Sequence, residues 1–250
     1  MKSTTIFIFG FHPVMEALRS GKELEKVYLV KGLRNEAIPG LIGELREKRI
    51  PFQFVPVEKI NRMTHKNHQG ILAQVAEIEY NDIEKIIPGL YEAGKVPAIL
   101  VLDRITDVRN MGAIARTAES AGIHALVIPT GESAQINADA VKTSSGALHS
   151  LPVCRTESLV KTVTFLKESG LLVVSATEKA ERLLYDADFT RPTAIILGAE
   201  DTGIERNLVS LSDIQVKIPL FGTIQSLNVS VAASILMYEV VRQRLFPSRE

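Results

Sequence analysis

The chain has 250 residues, 46% of them hydrophobic, enough for one large packed domain or two small ones. Lys and Arg together number 29, as do Asp and Glu, so no overall basic field announces a nucleic-acid partner. Cys154 is the single cysteine, which rules out an intrachain disulfide or a cysteine zinc site, and no apolar run approaches the ~18 uncharged residues of a membrane span.

The opening MKSTTIFIFGFHP carries one charge and a short apolar run broken by His12-Pro13, a poor secretion signal. With the lone cysteine this points to the cytoplasm. A helix is predicted from Pro13 to Ser20 with proline near its start, a strand over Lys26 to Val30, and a helix from Glu36 to Lys48. PFQFVPV then gives a short strand, a helix follows near Glu58, and Ile71 to Ile78 closes the unit. Residues 1–78 thus read as a small α/β domain. It holds 12 Lys or Arg against 8 Asp or Glu, with His12, His65 and His68 besides, a surplus that suits RNA phosphates and that a small domain also carries by chance. His65 and His68, with Lys66 and Asn67, read as RNA contacts or as a solvated loop; no third ligand accompanies them to make a metal site. Phe9, Phe11, Phe52 and Phe54 alternate within strand-like runs and read as core.

Residues 79–97, with Pro88-Gly89 and Gly94 among polar neighbours, read as a linker. Over residues 98–250, apolar strands near 98–102, 124–129, 171–176, 193–198 and 214–218 alternate with helical patterns, which predicts a parallel sheet covered on both faces. The first of these strands feeds a loop, Asp103 to Asn110, and then an Ala-rich helix, Met111 to Ala121. In open α/β sheets, that strand edge is where ligands bind. Asn110 stands at the helix start, as a cap or a ligand group, and Arg116 follows nearly two turns on. Thr193 to Glu205 runs a strand into a glycine turn. Gly198 and Gly203 are spaced like the ends of a phosphate loop, but Ile204-Glu205 replaces the required Lys-Ser/Thr. Glu200 and Asp201 would repel phosphates, so a neutral or cationic ligand fits better. Gly198 serves either close approach of such a ligand or a tight turn. Last, Ile218 to Arg244 joins a turn-forming segment to a long amphipathic helix in which Val231, Ile235, Tyr238 and Leu245 recur at roughly helical spacing. Ser226-Leu227-Asn228 lies at its mouth, where Ser226 or Asn228 caps the first turn and free N–H groups can hold a ligand.

Three segments taken together, Asp103 to Ala118, Gly198 to Gly203, and Ile218-Pro219 through Ser226-Leu227-Asn228, resemble the three motifs of the SpoU-type ribose 2′-O-methyltransferases of the trefoil-knotted SPOUT class. Ile8 to Leu18 and His68 to Val75 resemble the small RNA-binding domain that precedes catalysis in many members. The resemblance implies an L30e-like α/β RNA-binding domain followed by a parallel-sheet α/β domain with a deep trefoil knot. It also implies a homodimer formed through the C-terminal helix Asn228 to Phe246, with no metal and no membrane. The implied activity is methyl transfer from S-adenosyl-L-methionine to a ribose 2′-hydroxyl, and the subfamily most resembled acts on a guanosine of 23S rRNA. Transfer RNA ribose methylation, resistance-conferring rRNA methylation and a non-catalytic ribosome-assembly role are the alternatives. The resemblance assigns the chemistry to Asn110, Arg116, Glu200, Ser226 and Asn228. Family mechanisms give Arg116 the departing proton; because guanidinium groups stay protonated in proteins, a bidentate grip on the phosphate flanking the target sugar is the expected use, with Glu200 pairing with Arg116 or holding its fork, Asn110 bonding the ribose or orienting the arginine, and Ser226 and Asn228 completing the network around the hydroxyl. Main-chain groups of Gly198, Ile218 and Leu227 would hold the cofactor adenine. Arg104 and Val108 depart from the family's frequent Gly and Pro, which is expected to reshape the substrate mouth and loosen the loop.

Overall fold

The computed structural model describes residues 6–33 and 36–246. They divide into one unit that runs up to Glu79 and includes 135–138, and a second of residues 80–134 and 139 onward. The first unit contains β1 (Phe7–Phe9), α1 (Phe11–Arg19), β2 (Leu24–Val30), α2 (Ile38–Glu47), β3 (Phe52–Val55), α3 (Val57–Met63) and β4 (Ile71–Val75). Its sheet order is β1-β4-β2-β3, with β4 antiparallel to both neighbours and β2 parallel to β3. Side chains alternate across β2, so Val27 and Leu29 pack with Leu18 of α1 and Leu41 of α2, while Tyr28 packs on the other face with Ile60 of α3. The four phenylalanines are not uniformly core. Phe9, Phe11 and Phe52 are half-buried, and Phe54 is 44% exposed because β3 is the sheet's edge, a distinction that a period of two does not encode.

The second unit is an α/β domain built on a seven-stranded sheet. In chain order come β5 (Tyr80–Asn81), α4 (Ile83–Glu92), β6 (Ala98–Leu102), α5 (Val108–Ser120), β7 (Ala125–Pro129), α6 (Ala138–Thr143), β8 (Val153–Thr156), α7 (Leu159–Glu168), β9 (Leu172–Ala176), β10 (Thr193–Leu197), α8 (Arg206–Leu211), β11 (Ile214–Val216) and α9 (Val229–Leu245). The order is β11-β9-β10-β6-β7-β8-β5, every pairing parallel. AILVL in β6 and TAIIL in β10 are buried at every position, as unbroken apolar runs require when helices cover both faces.

The segment expected as linker differs. Residues 79–97 carry β5, which extends the sheet beside β8, and α4, whose Ile83 and Ile87 enter the same core as Ile99 and Val163. Pro88 and Gly89 lie on the exposed side of α4, where the proline costs one backbone hydrogen bond without breaking the helix. Among the described residues, no helix is long and apolar enough to cross a membrane.

Two pairs of elements position the site. α5 packs on α9, and the ends of β6 and β10 lie side by side, Leu102 in register with Leu197. The loops that leave these strands therefore start next to each other.

Candidate active site

The segments at the three loop–helix junctions meet at one atom. Glu200 Oε1 accepts from Asn110 Nδ2 at 3.1 Å, from Asn228 Nδ2 at 2.6 Å and from the backbone N–H of Val229 at 3.1 Å. Asn228 Nδ2 also donates to Asn110 Oδ1 at 3.0 Å. Local sequence explains why these side chains are free to do so. Asp107, not Asn110, caps α5, its Oδ1 accepting from the N–H of Arg109 at 2.7 Å. Asn228 caps α9 through Oδ1, which accepts from the N–H of Ser230 at 3.0 Å, and this leaves its Nδ2 for Glu200. The Glu200 carboxylate thus sits at the N-terminal end of a 17-residue helix.

Glu200 also lines a cleft whose walls include Gly198, Ile218, Ser226 and Leu227, with Leu197 and Val216 from the sheet and Ala232 from α9. Of the expected residues, Gly198, Ile218, Leu227, Glu200 and Ser226 therefore share one pocket. Residues 218–227 make no backbone–backbone hydrogen bond among the described residues, so their N–H and C=O groups are available to a bound molecule. The pocket thus combines an apolar floor, main-chain donors and acceptors, and two carboxylates, Glu178 and Glu200, a set suited to a flat heteroaromatic group attached to a cation.

Gly198 answers the choice left open by its sequence. A Cβ there would lie 2.2 Å from the carbonyl carbon of Gly203 and 2.3 Å from the nitrogen of Ile204, so the glycine serves the loop's own tight turn as well as the pocket wall. Arg104 fastens the same loop. Its φ of 55° is the left-handed conformation glycine favours. Its guanidinium forks onto Asp103 at 2.9 Å twice and donates to the Gly203 carbonyl at 3.1 Å, while Asp103 Oδ2 accepts from the N–H of Glu205 at 2.8 Å. The large side chain at 104 ties two loops together, and Val108 takes the first position of α5 behind an intact aspartate cap.

Arg116 departs from expectation. It is exposed on α5, is absent from the lining of the cleft, and makes no side-chain hydrogen bond or ion pair among the described residues. Glu200, expected to pair with it, is occupied by Asn110, Asn228 and Val229 instead. Helical geometry accounts for this: six residues turn the chain by about 600°, so Arg116 faces roughly 120° away from Asn110. Thr177, Glu178 and Gln225 also line the cleft and were not anticipated. The signal for the first two was present, since they follow β9, whose C-terminal end shares the ligand-binding edge of a parallel sheet.

With this geometry in hand, two family models match the chain: the SpoU rRNA methylase family over residues 97–238, and the RNA 2′-O ribose methyltransferase substrate-binding domain over residues 7–81. A putative TrmH family tRNA/rRNA methyltransferase of Staphylococcus haemolyticus is 35% identical over 96% of each chain. The 23S rRNA (guanosine-2′-O-)-methyltransferase RlmB of Yersinia pestis is 36% identical over 95% of this chain and 97% of its own. Among solved structures, the SpoU methyltransferase AviRb of Streptomyces viridochromogenes in complex with AdoMet superposes with a TM-score of 0.61 at 26% identity, covering 96% of this chain and 90% of that one. The chain belongs to the SpoU rRNA methylase family and is an S-adenosyl-L-methionine-dependent RNA 2′-O-methyltransferase with an N-terminal substrate-binding domain.

Proposed function

We propose that this protein methylates the ribose 2′-hydroxyl of a guanosine in 23S rRNA, in the cytoplasm, as a homodimer. The observation that carries the reading is the junction of Asn110, Glu200 and Asn228 beside the cleft. It is supported by the 36% identity to a relative named for 23S rRNA guanosine methylation.

The cleft's chemistry fits the cofactor: the unpaired main-chain groups of 218–227 match the edge of an adenine, and Glu200 brings a negative charge. Gly198, Ile218 and Leu227 would hold the base. When bound, S-adenosyl-L-methionine supplies a methyl group on a positively charged sulfur. Asn110, Ser226 and Asn228 orient the attacking ribose oxygen, and Glu200 fixes both amides so that neither has to reorganise. Arg116 acts as a guanidinium fork and not as a base. It would grip the RNA phosphate next to the target sugar and stabilise negative charge as it develops on the 2′ oxygen, whose proton is lost to solvent. An unpaired, exposed guanidinium is consistent with a partner that arrives with the substrate.

The dimer rests on α9, where Val231, Tyr238 and Leu245 are 48%, 51% and 67% exposed and recur every seven residues along one stripe. The trefoil path of the C-terminal segment is likewise proposed, on the strength of the family. Mapping ribose methylation across ribosomal and transfer RNA in cells with and without the gene tests the substrate. One missing 2′-O-methylguanosine in 23S rRNA is the expected result. A missing mark in transfer RNA, or none in any RNA, would overturn it.

A further inference from the structure

The first unit carries its own cationic surface, and the positions of its lysines are unusual. On the α3 face of the sheet, Lys26 of β2 and Lys59 of α3 both stand over the ring of Tyr28, with Nζ at 5.6 and 5.7 Å from its centroid. Lys66 stands over the ring of Phe9 on β1, at 5.1 Å. None of the three makes an ion pair among the described residues, while Lys59 and Lys66 are exposed and Lys26 is half-buried. Burial first, and then the charge of Lys59, hold the Lys26 ammonium below the ordinary lysine range, with Glu25 opposing in part. Like charges gathered over aromatic rings, with no ion pair among the described residues, leave an electrostatic deficit that an anion relieves.

The loop bearing Lys66 is held in place. His68 Nδ1 accepts from the N–H of Gly70 at 3.0 Å, which puts the imidazole proton on Nε2, and Nε2 donates to Asn61 Oδ1 on α3 at 2.8 Å. The loop is thereby tied to the helix that carries Lys59. β1 and β2 are separated by β4 alone, so the two lysine sites stand about two strand spacings, ~10 Å, apart.

We propose that the α3 face of the first unit, through Lys26, Lys59 and Lys66, binds the phosphate backbone of the RNA substrate. The inference rests on the reading of rRNA as substrate and adds the surface that receives it. Phosphates bridging Lys26 and Lys59 and reaching Lys66 would replace like-charge repulsion with paired charge. The faces of α1 and α2 take no part.

The test is titration of the full-length protein with a 23S rRNA transcript over a range of salt. The triple variant Lys26→Gln, Lys59→Gln, Lys66→Gln should bind at least tenfold more weakly, and its slope of log affinity against log salt should fall by about two to three. Lys59→Gln with Lys66→Gln, both at exposed positions, keeps the test valid should the half-buried Lys26 prove necessary for folding; this double variant should lower the slope by one to two. A control, Arg19→Gln, Lys22→Gln, Arg46→Gln, removes the same charge from the other side of the unit and should stay within about twofold of wild type. Equal losses in the two triple variants, or none in the lysine variants, would sink the assignment of this face. If the wild-type protein itself fails to bind the transcript, the rRNA reading falls and this inference with it.

Discussion

Glu200 Oε1 takes three N–H donors at an exposed position, and the value of that arrangement is geometric more than energetic. Solvent screens such contacts, so each adds little to stability. Together they fix two carboxamides that a freely rotating asparagine could not hold in place. Arg116 is the opposite case: among the described residues no side-chain hydrogen bond or ion pair holds it, and the role proposed for it runs through the substrate. Arg116→Ala is expected to lower methyl transfer by at least a hundredfold, about 2.7 kcal/mol of transition-state stabilisation, while cofactor affinity stays unchanged. Arg116→Lys should remain badly impaired, because a point charge cannot reproduce a bidentate fork. Methyl incorporation beside cofactor titration separates the two quantities. Near-normal turnover in the alanine variant would remove Arg116 from the mechanism, and near-normal turnover in the lysine variant would remove the fork.

At the scale of elements, α9 carries two apolar faces where a surface helix has one. Val229, Ala233, Leu236, Met237 and Val240 are buried, and Val231, Tyr238 and Leu245, apolar residues that recur at helical spacing in the sequence, face outward, with Ile235 half-buried beside them. Tyr238→Asp should therefore shift a dimer toward monomer in sedimentation equilibrium; a wild-type chain that sediments as a monomer at micromolar concentration would remove the second copy. Further along, Glu239 is buried and accepts from Arg242 and Gln243. The Arg242 hydrogen bonds, opposed by burial and aided by Gln243, hold its carboxyl below the ordinary value of 4.5. A depressed carboxyl pKa stabilises the fold above about pH 4.5 and loses that contribution as the pH falls through the folded-state value. Melting temperatures from about pH 6 down to pH 3 should thus drop more steeply for the wild type than for Glu239→Gln. Parallel curves would show that this cluster adds no linkage.

At the scale of the molecule, each unit has its own sheet and its own apolar clusters, and the cleft belongs wholly to the second. Cofactor at a hundred times its dissociation constant should add about 2.7 kcal/mol to the second unit alone. Calorimetry is expected to resolve two transitions with only one moved by cofactor; a single transition, or two that shift together, would refute independent unfolding. Much of this architecture was legible from local pattern. Short unbroken apolar runs such as AILVL and TAIIL, each followed by turn-forming residues and a helical pattern, read as buried parallel strands, and the polar residues at their C-terminal ends fall at the ligand-binding edge of such a sheet. Linker and helix were confused at 79–97, since a Pro-Gly pair looks the same in a turn as on a helix's exposed side, and only burial of Ile83 and Ile87 distinguishes them. Chain order by itself determined the alternation of strands and helices and which residues carry polar groups at strand ends. Which of those groups touch was decided in three dimensions. Glu200 meets Asn110 and Asn228, 90 and 28 residues away, and not Arg116, because side-chain direction depends on helix phase and on how α5 packs against α9.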